Sequence, residues 1–146
     1  MYEDALARVD LFSGLRYKEL TEIAKSCKVA KYNPGSVLIT QGEKGLGLFI
    51  ISKGTVRITR KTSPDGAEQA LGTAGIADII GEMALLDDLP RSATITAVDE
   101  VTVLVLPKGE FRSILRSILS RDPDVGLDML AVLSRRVRKC EERPSE

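Results

Sequence analysis

The spacing of apolar positions along the chain changes twice. Over residues 1–26, Leu20, Ile23, Ala24 and Cys27 recur at helical spacing, with Leu11 and Phe12 before them as a small apolar staple; this predicts an N-terminal helical segment covering one end of a sheet. From Cys27 to about Pro107 the runs are short and alternating. Val56 and Ile58 oppose Arg57 and Thr59, and Val101, Val103 and Val105 oppose Thr102 and Leu104. Asn33-Pro34-Gly35, Ser52-Lys53-Gly54 and Ser63-Pro64-Asp65-Gly66 supply residues that take turn dihedrals readily, so they mark corners. Many short strands punctuated in this way predict a sandwich or small barrel over 27–107. After Pro107 the helical period returns. Phe111, Ile114, Leu115 and Ile118 share one face, expected to pack on the barrel, and Asp122-Pro123 reads as an N-cap acid followed by proline at the first position of a second helix, ending near Glu142. In that helix Leu130, Leu133, Val137 and Cys140 step by three, four and three residues, a seam suited either to packing on the domain itself or to a dimer contact or hinged lid.

One stretch, residues 80–94, carries an unusual density of constraints. Gly81 lets the backbone approach a ligand closely, and a helical turn over Glu82–Leu86 would leave the amides at its start, Met83 and Ala84 among them, without intrahelical acceptors and open to an anion. Pro90 cannot extend such a turn and biases Leu89 to an extended conformation, which brings Arg91 back beside it. A guanidinium next to open amides suits a phosphate, and one fixed positive charge matches one phosphodiester. Glu82 would repel that ligand unless it accepts from a neutral donor on it, a role a ribose hydroxyl fills.

Gly81-Glu82-Met83-Ala84-Leu85 followed by Pro90-Arg91-Ser92-Ala93-Thr94 closely resembles the phosphate-binding cassette of cyclic-nucleotide-binding domains, which occur in protein kinase regulatory subunits, gated channels and bacterial catabolite activator-type regulators. Residues 32–39, Gln41-Gly42-Glu43 and residues 49–56 resemble the strands and glycine turns that precede that cassette, with Ile80 standing where many members carry phenylalanine. The resemblance implies a mainly β jelly-roll barrel (a double-stranded β-helix) with N-terminal helices and two C-terminal helices, 108–142, acting as hinge and lid of a single domain, 1–146. It implies that the cyclic phosphate sits on the amides of Met83 and Ala84 and on Arg91, with Ser92 adding its amide or hydroxyl, while Glu82 and the Gly81 backbone hold the ribose 2′-hydroxyl. The Leu85-Leu86 edge would move with the cassette, and Leu133, Arg136 or Val137 of the last helix would cap the purine. A hydroxyl residue after the cassette arginine can favour guanine in this family, whereas alanine is common in adenine-selective sites; Ser92 leaves both open, with cAMP preferred to cGMP here. The implied role is a cytoplasmic regulatory sensor that breaks no bond, needs no cofactor and pairs through its last helix. The rival is an interaction module that keeps the fold and binds no nucleotide.

Composition narrows the field further. At 146 residues the chain is long enough for one core, and its formal net charge of zero argues against a nucleic-acid binder working through a basic surface. No apolar run approaches a membrane span, and residues 1–10 lack the continuous apolar core of a signal peptide. Two distant cysteines, Cys27 and Cys140, are expected as thiols in a reducing compartment. Without histidine, metal-dependent oxygenase or isomerase chemistry and haem or iron-sulfur sensing lack their usual ligands. Asp87-Asp88 is expected to be solvated rather than metal-binding, the glycine-rich 42–47 stretch to be a hairpin turn, and the basic run Arg135, Arg136, Arg138 and Lys139 to be a solvated helix surface. Residues 143–146 show no helix-turn-helix, kinase or channel segment, which leaves an effector in trans or a longer parent protein as the output.

Overall fold

The structure is a computed structural model that describes residues 2–142; the tail at 143–146 lies outside them. The described residues form four α-helices, α1 (Glu3–Ala7), α2 (Tyr17–Ala24), α3 (Lys108–Arg121) and α4 (Asp124–Glu142), and eight strands: β1 (Lys28–Tyr32), β2 (Val37–Ile39), β3 (Gly47–Lys53), β4 (Val56–Arg60), β5 (Gln69–Ala74), β6 (Ile79–Ile80), β7 (Thr94–Ala97) and β8 (Val101–Pro107). Two compact units emerge, one from residues up to Lys25 together with those from Ser113 onward, the other over Ser26–Arg112.

The second unit holds both sheets, in the orders β1-β8-β3-β6 and β2-β7-β4-β5, every pair antiparallel. Sequence-distant strands lie side by side, β1 beside β8 and β2 beside β7, which makes this a jelly roll rather than a meander. Ile39, Phe49, Ile51, Val56, Ile95, Ala97, Val101 and Val103 form one buried cluster of this unit. The corners fall where glycine permits them: Gly35 and Gly54 take φ of +85° and +90°, and a β-carbon on Gly54 would stand 2.2 Å from the Glu100 carbonyl.

Two alternations depart from the sequence pattern. Thr59, expected to face solvent, is buried; the β4–β5 register shifts between Ile58 and Thr59, and the Thr59 hydroxyl donates to Glu68 Oε1 at 3.0 Å. Leu104 is buried as well as Val103, so β8, which lies between β1 and β3 in its sheet, carries buried side chains on both of its faces.

In the other unit the N-terminal segment is helical in pieces. It divides into α1, a 3-10 turn over Asp10–Phe12 and α2, which ends at Ala24 and leaves Cys27 beyond its last turn. Leu11 and Phe12 are buried as the staple reading requires, and their turn packs against α4. The Glu19 carboxylate accepts from the Arg16 amide at 3.0 Å and so caps the start of α2. On α4 the buried positions are Val125, Met129 and Val132; the predicted seam is largely turned outward, with Leu130 62% and Val137 58% exposed, Cys140 exposed and Leu133 half-buried. The helix therefore buries one face and leaves an apolar stripe on another. Arg121–Glu22 and Arg136–Asp10 ion pairs, at 3.0 and 3.4 Å, tie α3 and α4 to the N-terminal elements.

Candidate functional site

The cassette is built around a left-handed glycine. Gly81 follows β6 with φ +78° and starts a 3-10 turn over Glu82–Leu85. That turn is tighter than the α-turn expected from sequence, and this changes which donors are open. The Ala84 amide donates to the Gly81 carbonyl at 3.0 Å, so it does not stand open toward an anion as its position in an α-turn would require. Ala84 and Leu85 are buried, Leu86 is half-buried and Met83 is 43% exposed. Glu82 is half-buried with its Oε2 below the surface.

Arg91 arrives beside this turn by the route the proline suggested. Lys44 and Pro90 form an antiparallel bridge, the Arg91 amide donates to the Glu43 carbonyl at 2.7 Å, and the Gly42 amide donates to the Arg91 carbonyl at 2.9 Å. The Arg91 backbone is thus pinned to the 42–47 loop while its side chain runs inward. The guanidinium lies over the Phe49 ring, 5.9 Å from its centroid, and its Nη2 donates to the Gly47 carbonyl at 2.6 Å. Burial pushes the guanidinium below its ordinary pKa, so this cation is partly stripped of water.

Two glycines make room for it and a third accepts from it. A β-carbon on Gly81 would fall 1.8 Å from Arg91 Nη1, and one on Gly45 would fall 3.1 Å from Arg91 Nε and 2.5 Å from the Ala84 β-carbon. Gly47 supplies the acceptor. Sequence reasoning took 42–47 for a hairpin turn alone and missed this wall; the spacing of Gly45 and Gly47, two residues apart at the entry to a strand, is a signal of close approach that could have marked it. Ser92 is exposed, and its carbonyl accepts from Arg60 Nε at 3.0 Å.

Beside Arg91 is a cavity of about 70 Å³, lined also by Leu38, Ile39, Glu43, Leu46 and Phe49. A broader open cleft of about 440 Å³ lies under the β4–β5 loop, between Gln41, Lys61, Ser63, Glu68 and Thr94. Of the cassette it includes only Thr94, the last residue, whereas the smaller cavity holds the desolvated Arg91 cation. The structure therefore brings Gly81, Glu82, Met83, Ala84, Leu85 and Leu86 into one turn, with Arg91 reaching Gly81. Leu133, Arg136 and Val137 lie on α4, where Arg136 pairs with Asp10.

The 87–88 acids are not simply solvated. Lys108 Nζ reaches the Asp87 carbonyl and lies 2.5 Å from Asp88 Oδ1, and Arg112 Nη1 stands 3.9 Å from the same oxygen. These two cations draw the Asp88 carboxyl below the usual carboxylate range, Lys108 most strongly.

Comparison with known proteins gives a consistent picture. Residues 29–117 match the family described as the cyclic nucleotide-binding domain. A "CRP-like cAMP-activated global transcriptional regulator" of Mycobacterium tuberculosis is 31% identical over 137 residues, 94% of this chain and 59% of that protein. A "cAMP-dependent protein kinase regulatory subunit" of Yarrowia lipolytica is 34% identical over 119 residues, 82% of this chain and 31% of that protein. The chain thus spans less than two thirds of either relative. Among solved structures, the N-terminal domain of a transcriptional regulator from Streptomyces coelicolor A3(2) superposes with a TM-score of 0.79 at 34% identity, covering 95% of this chain and 94% of that one. With the match running through both sheets and the whole 81–94 cassette, this chain belongs to the cyclic nucleotide-binding domain family.

Proposed function

We propose that this domain is a non-catalytic sensor of a cyclic nucleotide, cAMP before cGMP, and that binding at the cassette is passed to the C-terminal helices. The observation that carries the reading is the Arg91 guanidinium, desolvated, threaded between glycines and bonded to a main-chain carbonyl that a phosphate oxygen can replace. A half-buried cation of this kind gains most from an anion that brings a full charge, since a charge-assisted pair is roughly twice as strong as a neutral hydrogen bond. In the proposed complex the phosphate takes Arg91 from Gly47, the Met83 amide and Ser92 add donors, and Glu82 with the Gly81 backbone accepts the ribose 2′-hydroxyl. The Ala84 amide joins only if the 3-10 turn opens. A cavity of about 70 Å³ is far below the roughly 300–1,000 Å³ of small-molecule sites, so the walls must part on entry, and the nucleotide can drive that only by binding the opened arrangement better. Leu133, Arg136 or Val137 of α4 would then cap the base.

The exposed Leu130 and Val137 support the reading of α4 as a pairing helix, and the cAMP-linked names of the two relatives support the choice of ligand. A cytoplasmic setting, with the output delivered to an effector in trans or elsewhere in a longer chain, completes the proposal; Cys27 and Cys140, both held as thiols, support it.

Calorimetric titration with cAMP and, separately, cGMP tests it. Saturable one-to-one binding is expected, and Arg91→Ala should weaken it roughly thirtyfold to several thousandfold, the equivalent of about 2–5 kcal/mol. Silence with both ligands from a folded protein refutes the sensor and leaves the interaction module.

A further inference from the structure

The C-terminal end of the cassette turn is gripped by two cations of α3. Lys108 opens that helix directly after Pro107, and its side chain is only 15% exposed. Its Nζ donates to the Asp87 carbonyl and to Asp88 Oδ1. Arg112 lies four residues on, hence on the same helix face, and its Nε donates to the Leu85 carbonyl at 3.1 Å. Two like charges one turn apart repel each other weakly, and a lysine is rarely so covered unless it is paired. Here both conditions are offset by one set of acceptors: Leu85 O, Asp87 O and Asp88 Oδ1, where the 3-10 turn runs out of partners for its own carbonyls.

Resting on the nucleotide reading above, we propose that Lys108 and Arg112 are positioning residues: a polar strap that hands displacement of the Leu85–Asp88 segment to the first turn of α3. Directional hydrogen bonds fix both distance and angle, whereas apolar side chains can slide over one another. Three acceptors on one short segment, held from two points on one rigid helix, leave that segment little freedom to move without the helix. The strap's acceptors, Leu85 O, Asp87 O and Asp88 Oδ1, are not among the proposed phosphate and ribose contacts, so it can be broken without dismantling the proposed site.

Hydrogen exchange on the full chain, with and without cAMP, reads this directly. In the wild type, cAMP should change exchange both at 81–91 and across 108–121. In Lys108→Met/Arg112→Met, which keeps the aliphatic stems, cAMP affinity should stay within about threefold while the ligand-dependent change across 108–121 is lost. Lys108→Arg should retain it. Asp88→Ala, which removes a side chain that is 77% exposed and so spares the fold, should reduce it. A double-Met variant that binds normally and still transmits the full change to 108–121 overturns the strap. Wild-type protein that binds neither nucleotide overturns the sensor reading and the transmitting role with it. The grip itself is then judged without ligand: faster exchange at 86–88 and in the first turn of α3 of the variant upholds it, and unchanged exchange there overturns it.

Discussion

Gly81→Ala separates stability from ligand recognition at this site. Gly81 has φ +78°, a region that costs an L-residue about 1–2 kcal/mol. The new β-carbon would also fall 1.8 Å from Arg91 Nη1 and 2.8 Å from Cζ, distances no pair of atoms can keep. The group that gives way is the far end of a flexible side chain, so the guanidinium moves and the backbone need not. Arg91 then leaves its bond to Gly47 and regains water, which keeps the total stability loss near the backbone term, about 2 kcal/mol in urea denaturation. Binding suffers differently. A displaced guanidinium no longer meets the phosphate, so calorimetric titration should show a loss approaching that of Arg91→Ala, on the order of 2–5 kcal/mol. In the Arg91→Ala background the same glycine substitution should add little, because the group it displaces is already absent; the double-mutant cycle should show strong coupling between the two positions. Wild-type affinity in a folded Gly81→Ala protein would refute the argument that Arg91 acts from its place against Gly81.

Glu82→Ala should cost less affinity than Arg91→Ala and should abolish the preference for the ribose ligand over its 2′-deoxy form; an unchanged preference removes Glu82 from the site. Gly47→Ala should destabilise the fold by about 1–3 kcal/mol in urea denaturation, because its β-carbon would meet the Leu106 backbone carbonyl at 2.2 Å and no side chain can yield; a wild-type midpoint would contradict that packing. Burial, with a smaller push from Glu110, raises the Cys27 thiol from an ordinary 9.0 to about 11. At pH 8 only about one Cys27 in a thousand is then thiolate, so the exposed Cys140 should be alkylated first and Cys27 labelling should rise about tenfold per pH unit up to pH 11. The sign for stability is opposite: between pH 9 and 11 the unfolded chain loses this proton while the folded one keeps it, so the contribution falls as pH rises.

The sequence by itself determined the fold class and the family. Period-two runs with glycine and proline corners record local dihedral preferences: Gly81 permits the left-handed conformation it takes here, and Pro90 cannot continue the turn ahead of Arg91. Hence the run of short strands between helical ends, the two C-terminal helices and the approach of Arg91 to Gly81 were legible along the chain. What only the tertiary structure decided involves partners far apart in sequence. Thr59 is buried where a register shift meets Glu68, and Leu104 is buried together with Val103 on the opposite face of β8. The Arg91 guanidinium is housed by Gly45 and Gly81, residues that read locally as turn formers and act here as absent side chains, and it is held by the Gly47 carbonyl. Asp87 and Asp88 meet Lys108 and Arg112 across some twenty residues, and the Ala84 amide is taken because the turn tightened to 3-10. Local propensity sets φ, ψ and periodicity; which side chain fills which space depends on how the sheets fold back on each other, and that information is spread over the whole chain.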